Sequence, residues 1–224
     1  MKSRGLSIDI ISDPVCPWCV VGYISLAQAL KLLPAGATVE LRWHPFELNP
    51  GLPAGGEELR LSRQPRLGSS HPGSRRVLQL MGKELGFQFD FVPAMRVYNT
   101  RKAHQLMQLA AEQQCQTKLA QALFDTYFRR HLPLDDDAVL LELAESVGMK
   151  RNDALLGLQD RRLAQVVVNN QQRWQREGVS SVPSFVIADK YIVSGAQSVE
   201  RWLRALNKLL GLNQRRKFLL HQGS

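Results

Sequence analysis

Cys16-Pro17-Trp18-Cys19 is the stretch of this sequence with the clearest chemistry. Two thiols separated by two residues can close into a disulfide and reopen by exchange with a thiol partner through a mixed disulfide. A helix beginning at Cys16 makes that residue the reactive one. The unpaired N–H groups and positive dipole end of a helix N-terminus favour a thiolate over a thiol. Pro17 falls at the first helical position, where its missing N–H costs nothing. Cys16 is therefore expected to attack, and Cys19, about one turn further in and more buried, to resolve the mixed disulfide. No metal is expected: a zinc site needs about four ligands, and neither a second C-x-x-C nor an H-x-x-x-H pair is present. A purely structural disulfide is a poor alternative, because so short a loop constrains little chain.

The flanking sequence supplies the elements that hold this pair. Leu6 to Ile11 is a strand-like run that reaches the cysteines through the turn-prone Asp13-Pro14. Val20, Ile24, Ala27 and Leu30 then recur at the spacing of one helix face, until Leu33-Pro34 stops it. Thr38 to Trp43 alternates like a second strand, so the first forty-odd residues form a β-α-β unit, normally parallel and right-handed. His44-Pro45 is expected to end that strand, with the histidine satisfied locally. Residues 49–73 are rich in proline and glycine and mark a change of texture. From Arg75 to about Gly178 the period is helical. Asn99-Thr100 is expected to cap one helix and Asp135-Asp136-Asp137 to open another, and a single long helix is expected from Asn152-Asp153 to Arg176. Period two then returns in Ser184–Ile187 and Tyr191–Val193, joined by the tight Ala188-Asp189-Lys190 connection. Ser198 starts a last amphipathic helix.

The expected fold is therefore α/β. It is a thioredoxin-like fold with a large all-helical domain inserted between β-α-β and β-β-α halves. Residues 1–50 and 177–212 would form the thioredoxin-like domain, 51–176 the helical insertion, and 213–224 a basic C-terminal tail. In such a fold the loop at Val182-Pro183 faces the dithiol. An X-Pro bond there can be cis, and the backbone of Val182 is free to pair with an extended substrate segment. Pro17, Trp18, Val182 and Pro183 are thus the expected substrate-contacting set.

Composition narrows the class. Apolar residues make up 44% of 224, enough for a sizeable core. No window approaches the roughly eighteen apolar residues of a membrane span, and the first residues lack the form of a signal peptide. A cytoplasmic location is expected, where three cysteines argue for redox use of the close pair rather than a disulfide framework. The net charge of +9 comes from scattered basic pairs without an RNA-binding signature, so no nucleic acid or membrane partner is expected.

The chain resembles the DsbA-like thioredoxin-fold oxidoreductases, specifically the FrnE-type subgroup. The likeness is carried in order by Asp13 to Cys19, Phe46-Glu47-Leu48-Asn49-Pro50, Asn99-Thr100 with Ala103-His104, Ser181-Val182-Pro183-Ser184-Phe185, and Ser194-Gly195-Ala196-Gln197. It implies a dithiol–disulfide oxidoreductase or isomerase acting on a thiol- or disulfide-containing protein or small molecule, as monomer or homodimer. No cofactor is required beyond the Cys16–Cys19 pair. It also places the Asn99–His104 helix and the Ser194–Gln197 turn near the cleft, so Asn99, His104, Ser181 and Gln197 are candidate supporting residues. Three departures stand out: Val20 where an aromatic is common, Ser181 where glycine is usual, and a less helical stretch from Leu59 to Ser70. The 2-hydroxychromene-2-carboxylate isomerases and kappa-class glutathione transferases share this architecture. They make a glutathione-dependent isomerase or transferase the alternative, with glutathione a candidate co-substrate. Those enzymes typically carry serine at the first cysteine position. A redox-inert basic interaction or nucleic-acid-binding module ranks below both.

Overall fold

The computed structural model describes residues 4–58 and 72–212. The basic tail and the Leu59–Ser70 departure lie outside these residues.

Strand β1 (Arg4–Ser12) is the centre of the sheet because it is buried on both faces, with Asp9 beside Ile11 on one of them. Leu6, Ile8, Ile10 and Ile11 are all buried. Helix α1 (Pro17–Lys31) follows with Cys16 as its N-cap and Pro17 at its start. The chain then returns as β2 (Ala37–Pro45), parallel to β1 with Ile8 beside Leu41. The other side of β1 is occupied by β5 (Ser184–Ile187), which pairs with it antiparallel. β6 (Tyr191–Ser194) extends the sheet to give the order β2-β1-β5-β6. The three-residue β5–β6 connection is tight: Ala188 and Asp189 both take positive φ, 54° and 52°, and the Ile187 carbonyl accepts the Lys190 amide at 3.1 Å. Helix α8 (Val199–Leu209), capped by the Ser198 hydroxyl, packs on α1, and its Trp202 meets Phe185 of β5 edge-on.

Between β2 and β5 lie α2 (Pro72–Glu84), α3 (Arg101–Glu112), α4 (Gln116–Phe128), α5 (Asp137–Ser146), α6 (Arg151–Gln159) and α7 (Arg161–Arg176). Two differences from the sequence reading appear here. The segment is not all helical: β3 (Glu57–Glu58) and β4 (Arg96–Val97) form a short antiparallel ribbon. The expected long helix after Asn152 is also two helices, broken at Asp160. The backbone of Asp160 is extended (φ −75°, ψ 106°), and its carboxylate caps α7 by accepting from the Arg162 amide at 2.8 Å. The carbonyls exposed by the break are not left bare. The buried Gln105 amide of α3 reaches those of Gly157, Leu158 and Asp160 at 3.3, 3.4 and 3.3 Å.

Edge strand β2 is covered by this helical segment. The Gln116 side chain acts as a surrogate strand, accepting from the Trp43 amide at 2.9 Å and donating to the Trp43 carbonyl at 3.1 Å. His44 is satisfied as expected: Nε2 lies 2.7 Å from Asp9, and its ring packs edge-on to Trp174. Burial alone would raise the Asp9 carboxyl, but the hydrogen bonds and charges of His44 and Arg42 outweigh it and hold Asp9 below its ordinary range.

Candidate active site

The dithiol sits at the carboxyl end of β1, where the chain turns into α1. The Asp13 carbonyl accepts the Cys16 amide at 3.0 Å, and the Cys16 carbonyl accepts the Cys19 amide at the same distance. The first turn of α1 is thereby fixed around the two sulfurs. Both are free thiols; Cys16 is 5% exposed and Cys19 1%. Burial pushes the Cys19 thiol well above its ordinary value. The neighbouring Cys16 sulfur adds to the rise, and the Ser12 hydroxyl and Asp13 backbone oppose it in part. Cys19 is therefore kept as a thiol beneath Cys16.

The Val182-Pro183 bond is cis, and the Cys16 thiol donates to the Val182 carbonyl at 3.8 Å. Two stretches separated by 166 residues thus meet at one sulfur. The close approach depends on Gly22. A Cβ on that residue of α1 would lie 3.0 Å from Pro183 Cγ and 3.1 Å from Phe185 Cζ. Trp18, half-buried, and the largely buried Pro17 complete the expected contact set on the α1 side.

The supporting candidates have structural partners of their own. Ser181 is exposed, and its carbonyl accepts the Ser184 hydroxyl at 2.7 Å. The Gln197 amide donates to the carbonyls of Ser194 and Gly195, bracing its own turn. Asn99 is not the cap of α3; Thr100 holds that position. Asn99 stands one residue earlier, accepting from the Arg101 amide at 3.0 Å and donating to the Pro50 carbonyl at 2.9 Å. His104 is 4% exposed. Burial lowers its pKa to about 3 against the raising effect of the Phe46 backbone, so the ring is neutral. Its Nε2 is buried without a partner, and the ring lines a cavity of about 20 Å³ together with Ser12, Pro14 and Trp43.

Asp13 is the residue whose importance the sequence concealed. It reads as half of a turn-prone Asp-Pro pair, yet its carboxyl is fully buried. It accepts from the Leu48 amide at 2.7 Å and the Val15 amide at 3.3 Å, and the Thr100 hydroxyl also bonds to it. Close by, Glu47 is buried and clasped by Arg101, with contacts of 2.6 and 3.1 Å. An acidic residue three positions before the first cysteine, directly after the first strand, was the available signal.

A helix N-terminal C-x-x-C facing a cis-proline loop, on a four-stranded mixed sheet with a helical segment between its halves, defines a thioredoxin-fold protein with a paired-cysteine site. The chain belongs to the DSBA-like thioredoxin domain family, which it matches over residues 7–207. It is similar to the crystal structure of a probable DsbA oxidoreductase from Streptomyces coelicolor, with 27% identity and a TM-score of 0.81. That match covers 92% of this chain and 90% of the other. It is 26% identical over 206 residues to the uncharacterized protein YwbO of Bacillus subtilis (strain 168), covering 89% of this chain and 95% of that protein. The cytosolic disulfide reductase DsbM of Pseudomonas aeruginosa, solved with GSH, shares the fold at 16% identity and a TM-score of 0.61. There the match covers 95% of this chain and all of that one. Among the described residues no helix is long and apolar enough to cross a membrane.

Proposed function

We propose that this protein is a dithiol–disulfide oxidoreductase or isomerase, working through Cys16 and Cys19 on a thiol- or disulfide-containing protein or small molecule. The observation that carries this reading is the placement of the Cys16 thiol at the N-terminus of α1, 3.8 Å from the Val182 carbonyl, with Cys19 buried behind it. In the reductive direction the Cys16 thiolate attacks a substrate disulfide. A Cys16–substrate S–S bond forms, and the other substrate sulfur leaves as a thiolate that takes up a proton. Cys19 then loses its proton and attacks Cys16. The Cys16–Cys19 bond forms, and the first substrate sulfur is released and protonated. Two electrons and two protons have passed to the substrate.

Val182 and Pro183 would hold the substrate's extended backbone beside Cys16, with Pro17 and Trp18 bounding the other side. Glutathione is the co-substrate that would return the pair to the dithiol, and a cytoplasmic setting would favour that direction. Retention of both cysteines favours exchange over the glutathione-dependent isomerase or transferase chemistry of related enzymes. Insulin reduction coupled to glutathione tests the assignment: wild type is expected to be active and Cys16→Ser inactive. Full activity in Cys16→Ser removes the proposal.

A further inference from the structure

One buried side-chain nitrogen behind the dithiol has no partner, and its ring borders a cavity. His104 is 4% exposed, and the Phe46 backbone bonds one of its ring nitrogens. That bond favours the protonated ring, so it runs from a ring N–H to the Phe46 carbonyl. A neutral imidazole carries one N–H, and Nε2 is therefore left as a bare acceptor. No donor among the described residues reaches Nε2. A buried acceptor in this state costs stability unless something donates to it.

The cavity, of about 20 Å³, lies between the ends of β1 and β2 and helices α3 and α4. Its walls of Trp43, Leu123 and Phe124 have no proton to give, because the Trp43 indole N–H is already bonded to Thr117 at 3.0 Å. Ser12, 5% exposed, brings a hydroxyl to the same cavity. Its place is fixed: the Ser12 carbonyl accepts the Phe46 amide at 3.1 Å, and Phe46 in turn holds His104. Two polar groups from different elements, β1 and α3, thus border one small space.

We propose that this cavity is a binding site for a single internal water molecule, which donates one hydrogen bond to His104 Nε2 and the other to the Ser12 hydroxyl oxygen. The volume sets the number, since one water needs about 10–15 Å³. The chemistry sets the kind of ligand. Nε2 requires a donor small enough for that space, and an apolar occupant would leave it unpaired. The Ser12 hydroxyl also bonds the Cys19 sulfur. With the water donating to the Ser12 oxygen, the one hydroxyl proton is left to the sulfur. The site therefore joins α3 to the underside of the dithiol, yet it stands whether or not that pair exchanges with a substrate.

The test uses water itself as the probe, in wild type, Ala120→Val and His104→Phe. Ala120 lines the cavity from α4, so the added carbons of Ala120→Val take the water's place while His104 stays. His104→Phe keeps a ring of similar shape and removes the acceptor. Oxygen-17 relaxation dispersion is expected to count one more long-lived water in wild type than in either variant. In nitrogen-15 spectra, the wild-type His104 Nε2 resonance is expected upfield, at the position of a nitrogen that accepts a hydrogen bond. In Ala120→Val it should move downfield, to that of an unbonded nitrogen. Equal water counts in wild type and His104→Phe, or a wild-type Nε2 resonance already at the unbonded position, overturn the inference. Should neither variant fold, the wild-type Nε2 resonance decides alone. Neither measurement involves exchange at sulfur, so this site and the dithiol reading fail separately.

Discussion

At the scale of single residues, burial has shifted two groups in opposite directions. His104 is pushed down to about 3 from 6.5, and Asp13 up to about 7 from 3.8. Between pH 6.5 and 3 the unfolded chain takes up a proton at His104 that the folded protein refuses, so acidification costs stability. Between pH 3.8 and 7 the folded protein keeps a proton at Asp13 that the unfolded chain has lost, so stability falls as pH rises. Each slope approaches about 1.4 kcal/mol per pH unit, and over their shared window they offset. His104→Leu should therefore become relatively more stable on acidification and Asp13→Asn relatively less, with wild type flatter than either. Urea midpoints at pH 4.5, 5.5 and 6.5 read this directly; tilts of the same sign in both variants contradict the assignment. The depressed Asp9 carboxyl is common to all three proteins and does not disturb the comparison. The resolving role proposed for Cys19 is also tested at this scale. Cys19→Ala should leave a substrate trapped on Cys16 as a mixed disulfide detectable by mass, and release at the wild-type rate would contradict it.

At the scale of elements, the approach of α1 to the Pro183 loop is set by one glycine. Gly22→Ala forces a methyl to 3.0–3.1 Å from Pro183 and Phe185, neighbours held by β5, so α1 or the loop must shift. The expected result is about 1–3 kcal/mol of destabilisation, the range for overpacking a filled core. A larger proportional loss of insulin reduction should accompany it, because the 3.8 Å contact between Cys16 and Val182 is what moves. A stable variant with unchanged activity would show that this approach is not needed. Much at this level was legible beforehand. The apolar run before Cys16, the proline at the first helical position and the return to period two at Ser184 are local signals, and each element formed where they stand. What stayed hidden depends on remote partners. Apolar spacing continues through Leu155, Leu158, Leu163 and Val167, so periodicity does not forecast the break at Asp160. The decisive group is Gln105, 55 residues away. Asp13 was hidden in the same way, since the Leu48 amide it accepts lies 35 residues on. The Asn99 side chain was forecast to cap a helix, and it does hold an α3 amide, but from the residue before the cap.

At the scale of the molecule, side chains of the helical segment complete the backbone pairing of the sheet's edge. Gln116 closes both main-chain groups of Trp43, Thr117 accepts the Trp43 indole at 3.0 Å, and Gln171 receives the Glu47 amide at 2.5 Å. Tyr23 of α1, Trp43 of β2 and Phe124 of α4 form a continuous aromatic contact from one half to the other, with centroids 4.9 and 6.1 Å apart. Such shared satisfaction predicts that the helical segment and the sheet unfold together even though one is inserted within the other. In urea, far-UV circular dichroism, dominated by the helices, should track tryptophan fluorescence through one transition. Gln116→Ala would leave two buried main-chain groups of β2 without partners. At about 1–3 kcal/mol for an unsatisfied group, it should lower the midpoint while leaving the dependence on urea unchanged, because the surface exposed on unfolding is the same. If the two signals separate instead, with helical structure outlasting the burial of Trp43, then the segments fold as independent units. The bonds across the β2 edge would in that case be consequences of docking rather than its cause.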